Sequence, residues 1–161
     1  SIDTARKETQ AASATPKSTR KTETVSSSAV PAPASDIKEV DGIGWSWPAQ
    51  GKVIAAFAAG KNRGIDIAGT RGQKVLSAAD GTVLHKGSMN GYGNLVIIKH
   101  SDNVLSAYAH NDKILVKEKQ QIRRGQQIAE MGSTDSDRVK LHFEIRYQGK
   151  PVDPVKYLPA Q

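Results

Sequence analysis

The stretch Val139-Lys140-Leu141-His142-Phe143-Glu144-Ile145-Arg146-Tyr147 alternates apolar and polar residues without a break. Successive side chains leave a strand on opposite faces, so a period of two marks an extended segment with one face in a core. Leu141, Phe143, Ile145 and Tyr147 make the core face, while Lys140, His142, Glu144 and Arg146 share the other. An ammonium, an imidazole, a carboxylate and a guanidinium in one row ordinarily form a solvated sheet surface, and charge pairing alone accounts for it.

Similar short segments precede it. Residues 52–57, 64–68, 74–77, 81–86, 94–100 and 104–110 each read as a strand. Turn signals separate them, among them Ala79-Asp80-Gly81, Asn90-Gly91-Tyr92-Gly93, Ser101-Asp102-Asn103 and Arg124-Gly125-Gln126. No long stretch of helical period appears, and the one helical turn conceivable, Asn111 to Lys117, is short and β-branched. The pattern predicts an all-β fold, an antiparallel sandwich or barrel. His110 ends a strand and is unremarkable alone; His85 and His100 sit at strand edges with no evident partner and read as structural or exposed.

Residues 1–44 differ from the rest. They hold no aromatic residue and are rich in Ala, Ser, Thr, Lys and Pro, whereas all eight aromatics fall between Trp45 and Tyr157. A segment that cannot bury enough apolar area to offset its ordering entropy is read as a flexible linker or arm, with one folded domain over residues 45–161. The first 44 residues are charge-neutral, so the formal +7 of the 161-residue chain belongs to the domain. That excess implies an anionic partner, but the charges are spread along the chain without interleaved aromatics, which argues against nucleic acid. With no cysteine there is neither a disulfide frame nor a thiolate metal site. No run of 18 apolar residues is present, and the opening Ser1-Ile2-Asp3 lacks Met, which leads to the expectation of a fragment of a longer protein.

The order of motifs then adds a resemblance. Arg63-Gly64-Ile65-Asp66-Ile67-Ala68-Gly69, Ala79-Asp80-Gly81-Thr82-Val83, Gly91-Tyr92-Gly93-Asn94, Tyr108-Ala109-His110, Arg124-Gly125-Gln126-Gln127-Ile128-Ala129, Leu141-His142-Phe143-Glu144-Ile145-Arg146 and Val152-Asp153-Pro154 follow one another. This succession resembles the LytM (lysostaphin-like) endopeptidases that cut peptidoglycan cross-bridges, from about Trp47 to Leu158. The resemblance implies a compact antiparallel β structure with a central groove. It also implies a zinc site built from His-x-x-x-Asp and the second His of His-x-His, with two further His beside the bound water. The position four before Asp66 is Asn62, and the first His of His-x-His is Lys140; Asp66, His110 and His142 stand where the pattern wants them. An ammonium about 5 Å from a dication costs on the order of 6 kcal/mol at an effective dielectric of about 20. The expectation is a vestigial site without catalytic residues, metal or cofactor, in which Lys140 or Arg63 replaces the metal as the counter-charge of Asp66.

Among LytM relatives the chain is most similar to the degenerate NlpD-type group, above all in Gly64 to Gly69, Leu105 to Asp112 and Arg138 to Tyr147. That implies a non-catalytic activator of N-acetylmuramoyl-L-alanine amidases in peptidoglycan splitting at division. Its groove of Asn62, Arg63, Asp66, His110, Lys140 and His142 would engage the amidase's inhibitory helix, with peptidoglycan itself a second partner. Such proteins sit in the periplasm or cell envelope, and their LysM module and lipid anchor lie upstream. The alternatives are an active metalloendopeptidase with an unusual metal site and a plain peptidoglycan-binding module. A lipoyl carrier is excluded because no modifiable Lys sits at a hairpin tip.

Overall fold

The computed structural model describes residues 42–161, so the linker expected over 1–44 lies, up to residue 41, outside the described residues. Ten strands follow: β1 (Val53–Ala55), β2 (Ile65–Ala68), β3 (Lys74–Leu76), β4 (Gly81–Met89), β5 (Gly93–Lys99), β6 (Val104–Ile114), β7 (Gln121–Ile122), β8 (Gln127–Met131), β9 (Lys140–Tyr147) and β10 (Lys150–Val152), before a 3-10 turn at Pro154–Lys156. Every pairing is antiparallel. The main path runs β1-β2-β9-β6-β5-β4-β7, with β10 added to β9 and the β3–β8 pair joined through β8 to β6. The path ends at β1 and β7, which do not pair, so of the two expected closures the barrel is not formed.

β6 explains the architecture. Its first half, Val104 to Ala109, lies between β9 and β5, while Asn111 to Ile114 turns to pair with β8. One strand thus serves two parts of the sheet, and the core lies between them. Ile65, Ile67, Val75, Val96, Ile98, Tyr108, Ile128, Met131, Leu141, Phe143 and Ile145 are completely buried there. The stretch from 111 that allowed a helical turn is therefore strand as far as Ile114. β7, β8 and β10 were not anticipated as strands; they are two to five residues long, with too few positions for a periodic signal.

The alternation of β9 is realised. Leu141, Phe143 and Ile145 point into the core and Tyr147 packs at its margin. His100, expected without a partner, has two: Nδ1 is 2.6 Å from the carbonyl of Asp80 and Nε2 is 2.7 Å from Ser106 Oγ. The carbonyl can only accept, so Nδ1 carries the proton and Nε2 accepts. Burial pushes the ring below its usual pKa despite the Asp80 carbonyl, and its edge-on packing with Trp45 completes a neutral, structural histidine. No helix among the described residues is long and apolar enough to cross a membrane.

Candidate functional site

The polar face of β9 is not solvated, contrary to the expectation from its pattern. β2 pairs with β9 so that Asp66 lies directly opposite His142 and Ala68 opposite Lys140. Side chains directly opposite and diagonally placed on one face meet, so the Asp66 carboxylate reaches both. Lys140 Nζ donates to Asp66 Oδ2 at 3.0 Å, and His142 Nδ1 lies 2.6 Å from Asp66 Oδ1. The other imidazole nitrogen, Nε2, lies 2.8 Å from Glu144 Oε2. Arg146 donates from Nε to Glu144 Oε1 at 2.8 Å, and its terminal nitrogen lies 2.7 Å from the same oxygen as an ion pair. Five side chains therefore alternate in sign along the strand: Lys140, Asp66, His142, Glu144, Arg146. Glu144 is fully buried and Asp66 is 8% exposed.

Charge in such a place persists only when each group is matched. Burial alone would push His142 down, but its bonds to Asp66 and Glu144 outweigh that and hold it at about 9. Burial would raise Asp66, yet His142 and Lys140 keep it below the usual carboxylate range, and His142 with Arg146 does the same for Glu144. At neutral pH the imidazole is an imidazolium donating from both nitrogens, with no lone pair to offer.

His110 enters from β6 at the point where that strand changes partners. It sits in a bulge, between the pairs Asn94–Asn111 and Val96–Tyr108, with φ of 68°. A non-glycine residue in the left-handed region is held there only by its surroundings. Its N–H donates to the carbonyl of Tyr92 at 2.7 Å, and its Nδ1 to the carbonyl of Thr134 at 2.8 Å. Burial lowers its pKa, and the nearby His142 and Lys140 cations reinforce that against the Thr134 carbonyl. The ring is neutral, and its centroid is 6.1 Å from that of His142.

The rim comes from the loop before β2 and the β4–β5 turn. Asn62 is spent on its own loop: Nδ2 donates to the carbonyl of Ala56 at 3.0 Å and Oδ1 accepts from the N–H of Gly64 at 3.4 Å. Arg63 does not reach Asp66; it donates to the hydroxyl of Tyr92 at 3.3 Å, where Arg146 donates at 3.0 Å. Tyr92 thereby joins the loop to β9 across the cleft. Gly64 is required by closeness, since a Cβ there would stand 2.1 Å from the carbonyl oxygen of Phe143. All six anticipated groove residues line one cavity of about 350 Å³, joined by Lys61, Tyr92 and Glu144. Nothing in the sequence signals the part played by Lys61 or Tyr92; Gly91-Tyr92-Gly93-Asn94 is a motif, but nothing local connects it with Arg63 or Arg146.

The sequence profile of peptidase family M23 matches residues 60–154. The chain belongs to peptidase family M23. It is 61% identical over 121 residues to a Pseudomonas aeruginosa protein named lipoprotein NlpD/LppB homolog, covering 73% of this chain and 41% of that one. It is 57% identical over 120 residues to the Escherichia coli murein hydrolase activator NlpD, covering 73% and 32%. Among solved structures it resembles a zinc-containing peptidase from Vibrio cholerae, with a TM-score of 0.66 at 30% identity over 68% of this chain and 39% of that one. The chain thus spans 32–41% of the length of these relatives.

The zinc-containing relative raises the question of whether this cleft fits zinc, and its donor set does not. Asn62 offers a neutral amide already turned to backbone. Both nitrogens of His142 are bonded to carboxylates, and one oxygen of Asp66 carries an ammonium. A metal would have to displace Lys140, strip a proton held to about pH 9, and leave Glu144 with one partner fewer. What the arrangement offers chemically is a rigid ionic wall with a neutral imidazole beside it, faced by the exposed cations Lys61 and Arg63.

Proposed function

We propose that this M23 domain is a non-catalytic activator of N-acetylmuramoyl-L-alanine amidases in the cell envelope, acting by gripping the amidase's inhibitory segment in its groove. The observation that carries the proposal is Lys140 at 3.0 Å from Asp66, next to an imidazolium with both nitrogens engaged. An ammonium takes the place of the metal dication, and hydrolysis loses its electrophile. The names of the relatives, a murein hydrolase activator and a lipoprotein, support a murein hydrolase as the partner class and an envelope location.

The geometry also redistributes the roles first assigned to the groove. Lys140 and His142 are neutralised by Asp66 and Glu144, and His110 is uncharged, so these three shape the cleft. Lys61 and Arg63 have no ion-pair partner among the described residues and are the cations available to carboxylates of a partner. The test is dye release from labelled sacculi. The reading requires no release by the chain alone and a several-fold increase when it is added to an amidase. Release by the chain alone would establish an endopeptidase, and unchanged amidase activity would leave a wall-binding module.

A further inference from the structure

A second concave site lies away from the groove. Two adjoining cavities of about 450 and 500 Å³ share Asp80, His100 and Arg123 as lining; Arg124 borders the first, and Lys99 with Gln126 the second. β5 separates this site from the groove: Gly93 packs on Thr134 beside the groove, and Lys99 is six residues further along, about 20 Å of extended strand. The two sites have no lining residue in common.

The backbone beneath the two arginines is pinned. The N–H of Arg123 donates to Gln126 Oε1 at 3.0 Å, that of Arg124 to Asp80 Oδ1 at 2.7 Å, and that of Gly125 to the carbonyl of Ser77 at 2.8 Å. Arg124 lies across Gly44, where a Cβ would stand 2.9 Å from its terminal nitrogen. Yet neither guanidinium makes a hydrogen bond or ion pair among the described residues, and Asp80 Oδ2 is equally without a partner there. The floor is fixed, because His100 has both ring nitrogens engaged. Unpartnered cations on an anchored turn, with one free carboxylate oxygen in the same lining, are complementary to a group bearing both charges.

We propose that this concavity binds the zwitterionic end of a peptide, its carboxylate on Arg123 and Arg124 and its ammonium on Asp80. A wall stem peptide with a free diaminopimelate-type amino-acid group has this chemistry; the choice of that peptide rests on the envelope reading above, while the site itself does not. A phosphate dianion fits less well, since it brings negative charge against the Asp80 carboxylate and no cation to meet it. A lipid surface fits less well too, because the site is concave and Ile122 in its lining is buried.

The experiment is a titration of the isotope-labelled 161-residue chain, followed by amide shifts, with four probes. These are the free diaminopimelate-containing stem tripeptide, the same peptide acetylated at that amine, inorganic phosphate, and phosphatidylglycerol vesicles. The tripeptide should move the amides of Arg123, Arg124 and Gly125 and leave those of Arg63 and Tyr92 in place. Arg123→Ala with Arg124→Ala should weaken it roughly tenfold or more, and Arg123→Lys with Arg124→Lys by less. Asp80→Asn keeps an oxygen for the N–H of Arg124 and should abolish the preference for the free amine over the acetylated probe. Shifts confined to the groove, binding by the double alanine variant within about twofold, or binding of phosphate or vesicles without the tripeptide would each overturn the assignment. Amidase stimulation by the double alanine variant separates the two readings: it should be retained, and its loss in wild type alone speaks only against the groove.

Discussion

Glu144→Gln tests whether the charged ladder, and not simply the fold, holds the cleft. Glu144 is completely buried, accepts from His142 and from Arg146 Nε at 2.8 Å each, and is ion-paired with the terminal Arg146 nitrogen at 2.7 Å. Glutamine keeps the shape and can still accept from Arg146, but its NH2 then faces the Nε2–H of His142, donor against donor. His142 relieves that contact by giving up its Nε2 proton and accepting instead, so the substitution should convert an imidazolium at about 9 into a neutral ring at neutral pH. A shift from 6.5 to about 9 corresponds to roughly 3 kcal/mol. Losing most of it, with the charge partner of Arg146, should cost on the order of 3 kcal/mol, within reach of the 3–5 kcal/mol typical of a broken buried pair. The pH dependence follows from the sign of the shift. A raised folded pKa stabilises fully below the unfolded value of 6.5, and that stability is lost as pH rises through about 9. The gap between wild type and variant should therefore be widest near pH 6 and close by about 1.4 kcal/mol per pH unit towards pH 9. Urea unfolding at pH 6, 7.5 and 9.5, with a histidine titration by NMR, measures both. A gap under about 1 kcal/mol at pH 6, or one that stays constant to pH 9.5, would refute the reasoning.

Wild-type protein should retain less than 0.1 equivalent of zinc after dialysis, while Asn62→His with Lys140→His should bind it, as read by metal analysis; this pair should not improve amidase activation. Arg63→Glu should weaken activation in the sacculus assay about tenfold or more with little change in thermal midpoint, whereas Lys140→Glu should also destabilise, because it sets a second carboxylate against Asp66. Gly93→Ala should cost more than about 2 kcal/mol in urea unfolding, since φ there is 65° and a Cβ would stand 2.3 Å from the carbonyl oxygen of Thr134. Removing residues 1–39, to begin at Val40, should move the thermal midpoint by no more than about 2 °C, on the composition of that segment.

How much of this could be read from the chain depended on the range of the interaction concerned. The face assignment in β9 was legible because period two is local: each residue's side is fixed by its neighbours. What covers that face was not, since Tyr92 is 54 residues from Arg146 and Asp66 is 76 from His142. The course of β6 beyond His110 was obscured for a different reason. Ala107 to Asn111 are all buried, because the strand is sandwiched there and bulges, so alternation disappears where the cleft is formed. Motif order placed Asp66, His110, Lys140 and His142 together without any geometry. It could not tell that Asn62 would turn to the carbonyl of Ala56, or that Arg63 would choose Tyr92 over Asp66.

The state of the cleft turns on position 140. It faces Ala68 in register and Asp66 on the diagonal, so whatever stands there meets the carboxylate first. Lysine brings an ammonium to 3.0 Å and answers part of the Asp66 charge; His142 answers the rest only by staying protonated, which in turn needs Glu144 on its far side and Arg146 to balance Glu144. Each member of the ladder thus bears on the next, and removing either carboxylate leaves cations set against one another without a counter-charge. A cleft locked in this way holds its ionic wall in one arrangement. For the partner proposed above, a wall so fixed leaves the exposed Lys61 and Arg63 as the side chains to be ordered on binding.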